Sequence, residues 1–339
     1  MKSLLTLGIE TSCDETGVSV TSSRRVLSNV VSSSVHLHKK FGGVVPEIAS
    51  RCHVEYIIEV LSGALKSSGK SLKDIDLVAV TNGPGLVGAL LIGLSLAKSL
   101  SYSLGIPIIG VNHVLAHLYS AFFGGEEIRF PFVGLVVSGG HTALFYCEDV
   151  DRQRLLGQTQ DDAVGEAYDK VAKLLDLGYP GGPVVEKAAK RSTGKRGIKF
   201  PKSYLGKDSL DFSFSGIKTA VLYYVRKMIT LDPGHVSEVC CAFQEAALDV
   251  LVEKTYMACR MTGAKRVLVG GGVAANSRLR EKIYGYSEAS GAKVYFPEMK
   301  YCVDNAAMVG SLGEALYKKG YRSDLFLGAE PNLEVVDVK

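Results

Sequence analysis

The chain alternates between short, fully apolar runs and longer segments in which apolar residues recur three or four positions apart. The first pattern predicts buried strands and the second predicts amphipathic helices. In the segments Leu4–Val20 and Phe132–Cys147, two apolar runs enclose a small polar or glycine-rich bend, a pattern typical of a β-hairpin. The two hairpins resemble each other, and a repeat on this scale indicates two related domains with a cleft between them.

Strands and helices alternate along the rest of the chain, which predicts an α/β fold class. Further strands are expected at Leu77–Thr81, Ile106–Val111, Arg266–Val269 and Val294–Phe296. Helices are expected at His53–Ser67, Gly88–Leu104, Gly165–Leu177, Gly182–Lys190, Ser215–Lys227, Val236–Thr262 and Asn305–Lys318, with another beginning around Asn276.

The composition is that of a globular protein with room for two domains: 339 residues, 47% hydrophobic and 22% charged. The longest apolar stretch, Leu86–Leu100, is interrupted by glycines, serines and Lys98, and is too short to span a bilayer. The N-terminus lacks a signal-peptide pattern. The seven cysteines include no C-x-x-C pair, so neither a disulfide framework nor a thiolate zinc site is indicated. We therefore expect a soluble, cytoplasmic protein.

The net charge of +4 is unevenly distributed. Eight basic residues and no acidic residue lie between Lys187 and Lys207, with Phe200 and Tyr204 among them. A solvated surface has such a composition. So does a surface that binds a phosphate backbone and an unstacked base.

The residues His113 and His117 have the spacing that places two imidazoles on one face of a helix, near enough to bind one cation. Histidine pairs at this spacing also occur without a metal. A zinc peptidase of the H-E-x-x-H type needs a glutamate where this chain has Val114, so it would lack its general base. A third ligand must come from elsewhere. Asp304 is a candidate, although an aspartate before an alanine-rich helix is also an ordinary N-cap.

Two glycine-rich bends are candidate nucleotide-binding loops. The run Gly270–Gly272, between a strand and a helix, allows a flat ligand to approach the backbone, and Asn276 offers hydrogen bonds to a base or ribose. Neither G-x-G-x-x-G nor the P-loop pattern is present. The turn Ser138–Thr142 offers N–H and hydroxyl donors to a phosphate, and an ordinary hairpin turn has the same residues.

These motifs together resemble the bacterial-type tRNA N6-adenosine threonylcarbamoyltransferase family (TsaD), whose members were formerly described as O-sialoglycoprotein endopeptidases. The motifs that carry the resemblance are Ile9–Thr16, Gly42–Glu47, Asn82–Gly85, His113 with His117, Ser138–Thr142, Asp211–Thr219 and Asp304–Ala307. The likeness extends to about Leu327. The tail Gly328–Lys339 lacks the arginine- and proline-rich ending of bacterial relatives.

The resemblance implies an actin-like ATPase fold of the sugar kinase and heat-shock ATPase type, with two ribonuclease-H-like domains around a cleft. Residues 1–131 and 307–339 would form the first domain, and residues 132–306 the second. The implied reaction transfers the threonylcarbamoyl group of threonylcarbamoyl-adenylate to N6 of adenosine 37 in tRNAs that read codons beginning with A. It forms t6A and releases AMP.

The resemblance also assigns site residues. His113, His117 and Asp304 would hold one divalent metal ion, with Fe(II) favoured and Zn(II) the alternative. Threonylcarbamoyl-adenylate, AMP or ATP would contact Val136, Val137, Ser138, Gly139, Gly140, Asp169, Gly182, Glu186 and Asn276. In the first hairpin bend, Asp14 and Glu15 are candidates to orient or deprotonate the attacking amine.

The implied partners are tRNA, an inactive paralogue of the TsaB type and a small P-loop ATPase of the TsaE type; a homodimer is compatible with the sequence. Two rival functions remain. A small-molecule kinase on this fold would hold Mg²⁺ with carboxylates rather than with a histidine pair. A non-catalytic scaffold would not need the histidine pair.

Overall fold

The computed structural model describes residues 3–228 and 232–334. The chain forms two compact units, one of Met1–Phe130, Glu148–Gln153 and Pro297–Lys339, the other of Pro131–Cys147 and Arg154–Phe296. These limits differ from the predicted domains in three places. Residues 148–153 and 297–306 belong to the first unit rather than the second, and Pro131 belongs to the second rather than the first. Asp304 is therefore in the same unit as the histidine pair. Of the tail singled out in the sequence, residues 335–339 lie outside the described residues.

The strands and helices follow the predicted alternation. The strands are β1 (Thr6–Glu10), β2 (Glu15–Ser22), β3 (Arg25–Ser33), β4 (Leu77–Gly83), β5 (Ile108–Asn112), β6 (Phe132–Val137), β7 (Thr142–Asp149), β8 (Arg152–Gln158), β9 (Arg266–Gly270) and β10 (Lys293–Tyr295). The α-helices are α1 (Val35–His38), α2 (Pro46–Ser68), α3 (Val87–Leu104), α4 (His113–Tyr119), α5 (Val164–Leu174), α6 (Gly181–Ala189), α7 (Ser215–Arg226), α8 (Pro233–Thr262), α9 (Ser277–Ser290) and α10 (Ala306–Lys318).

Each unit contains a five-stranded sheet, and the two sheets have the same strand order. The first runs β3-β2-β1-β4-β5 and the second runs β8-β7-β6-β9-β10. In each, the central strand pairs antiparallel with the next strand of its hairpin and parallel with a later strand. The repeat predicted from the two hairpins and the α/β class predicted from the alternation of strands and helices are confirmed.

The strands β3 and β8 are absent from the sequence prediction. Both mix polar, charged and apolar residues, and most of their side chains are at least partly exposed. A strand that is solvated on one side lacks the continuous apolar run by which the central strands are recognised. Helix α2 begins seven residues before the predicted start, because Pro46 occupies its first turn, where proline is well tolerated.

Helix α10 packs very closely against the first sheet. A Cβ at Gly8 of β1 would lie 2.3 Å from the Ala306 carbonyl oxygen. On the helix, a Cβ at Gly313 would lie 2.4 Å from the Cβ of Ala79 in β4, and Gly310 is similarly confined. These glycines let the helix backbone approach the sheet. The start of α10 is thereby fixed beside β1.

Helix α3 is long and apolar enough to cross a membrane by length and composition alone. Core helices of soluble proteins meet the same criterion. Residues on one face, including Ala89, Leu90 and Leu94, are buried, and the helix packs against β4 and α2. The helix is longer than the apolar stretch considered in the sequence, and the predicted absence of a membrane segment stays a prediction.

We expect Gly8→Ala to lower the free energy of unfolding by about 1–3 kcal/mol, because the added methyl group forces α10 away from β1. The matched control is Gly63→Ala in α2, where the new Cβ makes an ordinary 3.6 Å contact with Val30. Because alanine favours a helix more than glycine does, Gly63→Ala should leave the free energy of unfolding unchanged or raise it by up to about 1 kcal/mol. Urea denaturation measures both, and equal stabilities would contradict the close packing of α10 on the sheet.

Candidate functional site

The carboxyl ends of three parallel strands form the polar edge of the first sheet. Strands β1, β4 and β5 are parallel neighbours, so their carboxyl ends meet at the same edge. Glu10 is the last residue of β1, and its Oε2 accepts a 2.7 Å hydrogen bond from the Thr81 hydroxyl. Asn112 ends β5 and caps α4 by accepting a hydrogen bond from the Leu115 N–H. This cap places the first turn of α4 at the edge.

The two histidines lie on one face of α4, as predicted. Their ring centroids are 4.7 Å apart. His113 is 5% exposed and His117 is fully buried. Two buried imidazoles so close together require a polar partner or a cation to compensate for the loss of hydration.

Asp304 supplies a carboxylate to this pair. Its Oδ1 lies 3.3 Å from His117 Nε2 and 3.7 Å from His113 Nε2. The three potential ligand atoms are within 4.8 Å of one another. Asp304 is not the N-cap of α10: Asn305 is the cap, and its Oδ1 accepts a 3.0 Å hydrogen bond from the Met308 N–H. The carboxylate of Asp304 therefore faces the two histidines and not the end of the helix.

The far side of the His113 ring is held by Glu10 and Ser12. His113 Nδ1 lies 2.9 Å from Glu10 Oε2 and 3.1 Å from the Ser12 hydroxyl. Burial alone would lower the pKa of His113, but the carboxylates of Glu10 and Asp304 raise it to about 9. Burial favours the neutral form of Glu10, but His113 holds the pKa of that carboxyl below its usual value. Glu10 thus orients the ring with Nε2 toward Asp304.

These residues fit a divalent metal ion. Neither ring nitrogen of the buried His117 makes a hydrogen bond within the part of the chain that the structure describes, although Asp304 Oδ1 approaches Nε2 to 3.3 Å. Two imidazoles and one carboxylate are the donor set of many non-haem iron sites and of several catalytic zinc sites. A carboxylate that binds the distal nitrogen of a ligating histidine is a common feature of metal sites, and Glu10 has this relation to His113.

Asp14 lies in the bend between β1 and β2, and Glu15 is the first residue of β2. The Oδ2 atom of Asp14 is buried without a hydrogen-bond partner among the described residues. Glu15 accepts a hydrogen bond from the Ser33 hydroxyl at 3.2 Å. Burial, together with the Asp304 and Asp14 carboxylates, raises the pKa of Glu15 well above its usual value. Glu15 is therefore near enough to both Asp14 and Asp304 to be affected by their charges.

In the second unit, the carboxyl ends of β6 and β9 are adjacent. The register pairs Val136 with Gly270. Val136 and Val137 are buried in β6, whereas Gly139 and Gly140 in the following bend are exposed. No described atom lies within 4 Å of a Cβ placed at either glycine. The bend is closed by a 3.1 Å hydrogen bond from the His141 N–H to the Ser138 hydroxyl. An open surface of backbone N–H groups suits a phosphate.

The other predicted nucleotide contacts take part in hydrogen bonds that link neighbouring helices of the second unit. Asp169 accepts a 2.6 Å bond from the Gly181 N–H, next to Gly182. Glu186 accepts bonds from the Ser277 N–H and hydroxyl. Asn276, the residue before Ser277, caps α9 through Oδ1 and donates to Gln244 at 2.9 Å. The amide of Asn276 is thus partly used by the fold, which leaves it fewer bonds for a ligand than the sequence suggested.

Glu10 and Ser12 are not among the residues predicted from the sequence, although the structure places both against His113. The available signal is an acidic residue at the carboxyl end of a fully apolar strand. A buried carboxylate at such a position needs a charged or hydrogen-bonded partner. The sequence alone does not show that the partner is 103 residues away.

Comparison with known proteins identifies the family of the chain. The family model for TsaD, tRNA N6-adenosine threonylcarbamoyltransferase, matches residues 25–311. The chain is 48% identical over 337 residues to the tRNA N6-adenosine threonylcarbamoyltransferase of Clostridium perfringens, covering 99% of each chain. It is 46% identical over 334 residues to the enzyme of that name from Thermosipho africanus, covering 98% of this chain and 100% of the relative.

Solved structures with a similar fold have low sequence identity. Full-length HypF in a phosphate- and nucleotide-bound form matches with a TM-score of 0.61 and 14% identity, over 94% of this chain and 46% of that chain. Component A of the (R)-2-hydroxyglutaryl-CoA dehydratase of Acidaminococcus fermentans matches with a TM-score of 0.53 and 13% identity, over 93% of this chain and 98% of that chain. These likenesses support the predicted actin-like ATPase fold. By the family model and the near full-length relatives, the chain belongs to the tRNA N6-adenosine threonylcarbamoyltransferase family.

Proposed function

We propose that this chain transfers the threonylcarbamoyl group of threonylcarbamoyl-adenylate to N6 of adenosine 37 in tRNA, forming t6A and releasing AMP. Family membership supports the reaction. The observation that carries the proposal is the buried cluster of His113, His117 and Asp304. A small-molecule kinase has no use for such a cluster, and a non-catalytic scaffold has no reason to retain it.

His113, His117 and Asp304 would hold one divalent ion, with Fe(II) favoured because two histidines and one carboxylate are its usual donors in non-haem enzymes. Zn(II) has the same ligands in many hydrolytic sites. When bound, such an ion supplies Lewis acidity and a fixed point for orienting oxygen groups of the substrate. Glu10 and Ser12 keep the His113 ring in the orientation that this requires.

The adenine nucleotide would bind at the second unit. Exposed backbone at Gly139 and Gly140 leaves space for a phosphate group. Gly182 is similarly open and lies in the first turn of α6, the end of a helix that favours an anion. Glu186, also on α6, bonds Ser277, the residue after Asn276, so Glu186 and Asn276 lie near each other. Val136 and Val137 are the last residues of β6 and lead directly into the bend that contains Gly139 and Gly140.

The N6 amine of adenine is a weak nucleophile because its lone pair is delocalised into the ring. AMP is already a good leaving group, so the chain's contribution is alignment and stabilisation of the charge that develops on oxygen. Asp14 and Glu15 are the proposed groups that orient the amine or accept its proton. The unpartnered Oδ2 of Asp14 supports this role, because a buried carboxylate oxygen without a donor among the described residues has an unused site for one.

The proposed partners besides tRNA are an inactive paralogue of the TsaB type and a small P-loop ATPase of the TsaE type. We also include a homodimer and a cytoplasmic location in the proposal. The two protein partners follow from the family resemblance, and the location and the homodimer follow from the sequence expectations. Size-exclusion chromatography of the purified chain, alone and with each protein, tests the assemblies.

The test of the function is incubation of the purified protein with threonylcarbamoyl-adenylate and tRNA, followed by mass spectrometry of the tRNA nucleosides. We expect t6A with the natural chain. His113→Ala and His117→Ala should lose bound metal, measured by elemental analysis, and should lose transfer activity together. His36→Ala, which changes an exposed histidine of α1, is the matched control and should retain both. Full metal content and activity in either site variant would refute the metal site.

Asp304→Asn separates a metal ligand from a helix cap. We expect it to lose most of the bound metal with little change in the free energy of unfolding, because Asn305 caps α10. Asn305→Ala should instead lower the free energy of unfolding by about 1 kcal/mol or more, because it removes the cap and the bond to the Val303 carbonyl. Elemental analysis and urea denaturation distinguish the two. A destabilised Asp304→Asn with full metal content would contradict the assignment.

Gly140→Val should reduce the affinity for AMP at least about tenfold, a loss of about 1.4 kcal/mol, because the side chain occupies the open space at the bend. The control is Gly285→Val in α9, where a Cβ also meets no described atom. Isothermal titration calorimetry measures both. Equal AMP affinity in the two variants would place the nucleotide elsewhere.

A further inference from the structure

The chain between α6 and α7 is a long surface segment. Residues 190–214 contain no helix or strand apart from a single bridge between Phe212 and Thr159. Loops of this length are uncommon within compact domains and usually serve a function. We call residues Lys187–Lys207, which include the last turn of α6, the basic segment.

The basic segment is held in place by α8. The Thr193 N–H and hydroxyl both donate to Glu238 Oε1, at 2.9 and 3.0 Å. Further along, the Lys202 ammonium is 2.9 Å from Glu253 Oε1. Beyond its end, the Lys254 ammonium donates to the Ser209 carbonyl at 2.9 Å, and only 2% of Lys254 is exposed. The contacts with Glu238 and Lys254 are at least partly buried, and polar contacts of this kind fix a loop in one shape.

Its cations are ordered but largely uncompensated. All eight basic residues of the segment are exposed. Lys190, Arg196 and Lys202 have carboxylate partners. The other five have no ion pair within residues 3–228 and 232–334; they are Lys187, Arg191, Lys195, Lys199 and Lys207. The segment carries eight positive charges although the whole chain has a net charge of only +4, so the remainder is net negative.

We propose that the basic segment is the docking surface for the phosphate backbone of the tRNA. This rests on the proposed function, since it assigns a place to that substrate. Preordered, unpaired cations repel one another, and a polyanion removes that repulsion while releasing its own counterions. The segment begins on α6, the helix that also carries Gly182 and Glu186. The positive surface therefore starts at the candidate nucleotide site.

A cavity at the other end of the basic segment has the chemistry of a nucleotide-binding pocket. Its volume is about 330 Å³, and its lining includes Tyr204, Lys207, Arg260 and Tyr286. Both tyrosines are nearly half exposed. Aromatic faces beside cations are the usual means of holding an unstacked base of a single-stranded loop. Acidic side chains do not stack on aromatic faces as bases do, so the cations and tyrosines together favour a nucleic acid over an acidic protein.

The experiment compares two triple-lysine variants of the full chain. The test variant carries Lys195→Ala, Lys199→Ala and Lys207→Ala. The matched control carries Lys66→Ala, Lys70→Ala and Lys73→Ala, three exposed lysines of the first unit that have no ion pair among the described residues. Binding of tRNA is measured at several salt concentrations, and AMP binding and urea unfolding are measured in parallel.

We expect the test variant to bind tRNA at least on the order of tenfold more weakly. The slope of log affinity against log salt should decrease in magnitude by about one for each phosphate that is no longer neutralised. The control, the AMP affinity and the unfolding curve should not change. Equal tRNA affinity and salt slope in the two variants would overturn the proposal. Transfer of the threonylcarbamoyl group is assayed separately at saturating tRNA. If transfer persists although the two variants bind tRNA equally, the docking surface is refuted and the proposed function stands. If the natural chain binds tRNA through the basic segment but transfers nothing, the proposed function is refuted and the docking surface stands.

Discussion

The close packing of α10 on the first sheet is the constraint on which the candidate metal site depends. Gly8, Gly310 and Gly313 remove the side chains that would hold the helix away from β1, β2 and β4. Only then does the turn before α10 reach the carboxyl ends of the parallel strands. Asn305 completes this turn by bonding the Met308 N–H and the Val303 carbonyl. The neighbouring Asp304 does not cap the helix, and its carboxylate faces His113 and His117.

Charge compensation explains why the buried groups of this edge stay together. Glu10 and His113 are both almost fully buried and lie 2.9 Å apart. Removing one member of such a pair leaves an uncompensated buried charge, which typically costs about 3–5 kcal/mol. His117 is different, because the described protein supplies no hydrogen bond to either of its nitrogens. A fully buried imidazole in that state is most simply satisfied by a cation, which Asp304 would help to neutralise.

Much of the fold could be predicted from the sequence, because the central strands are apolar runs and the helices have clear periodicity. The edge strands β3 and β8 could not, since a partly solvated strand mixes polar and apolar residues in no decisive pattern. The histidine pair was recognisable because helix geometry alone brings positions four apart together. The role of Asp304 was open from the residues, because it and Asn305 are both good capping residues. Which of the two residues caps the helix depends on the backbone of one turn. The contact between Glu10 and His113 depends on tertiary packing.

The two sheets show how one repeated hairpin can serve two chemistries. The bend between β1 and β2 contains Asp14 and leads into Glu15, whereas the bend between β6 and β7 contains Gly139 and Gly140. Carboxylates at the first bend attract a cation or a proton and repel phosphate. The open glycines of the second bend present backbone N–H groups, which attract phosphate and carry no net charge. Because the strand order is the same in both units, the difference in ligand preference arises from the side chains of a few bend residues and not from the architecture.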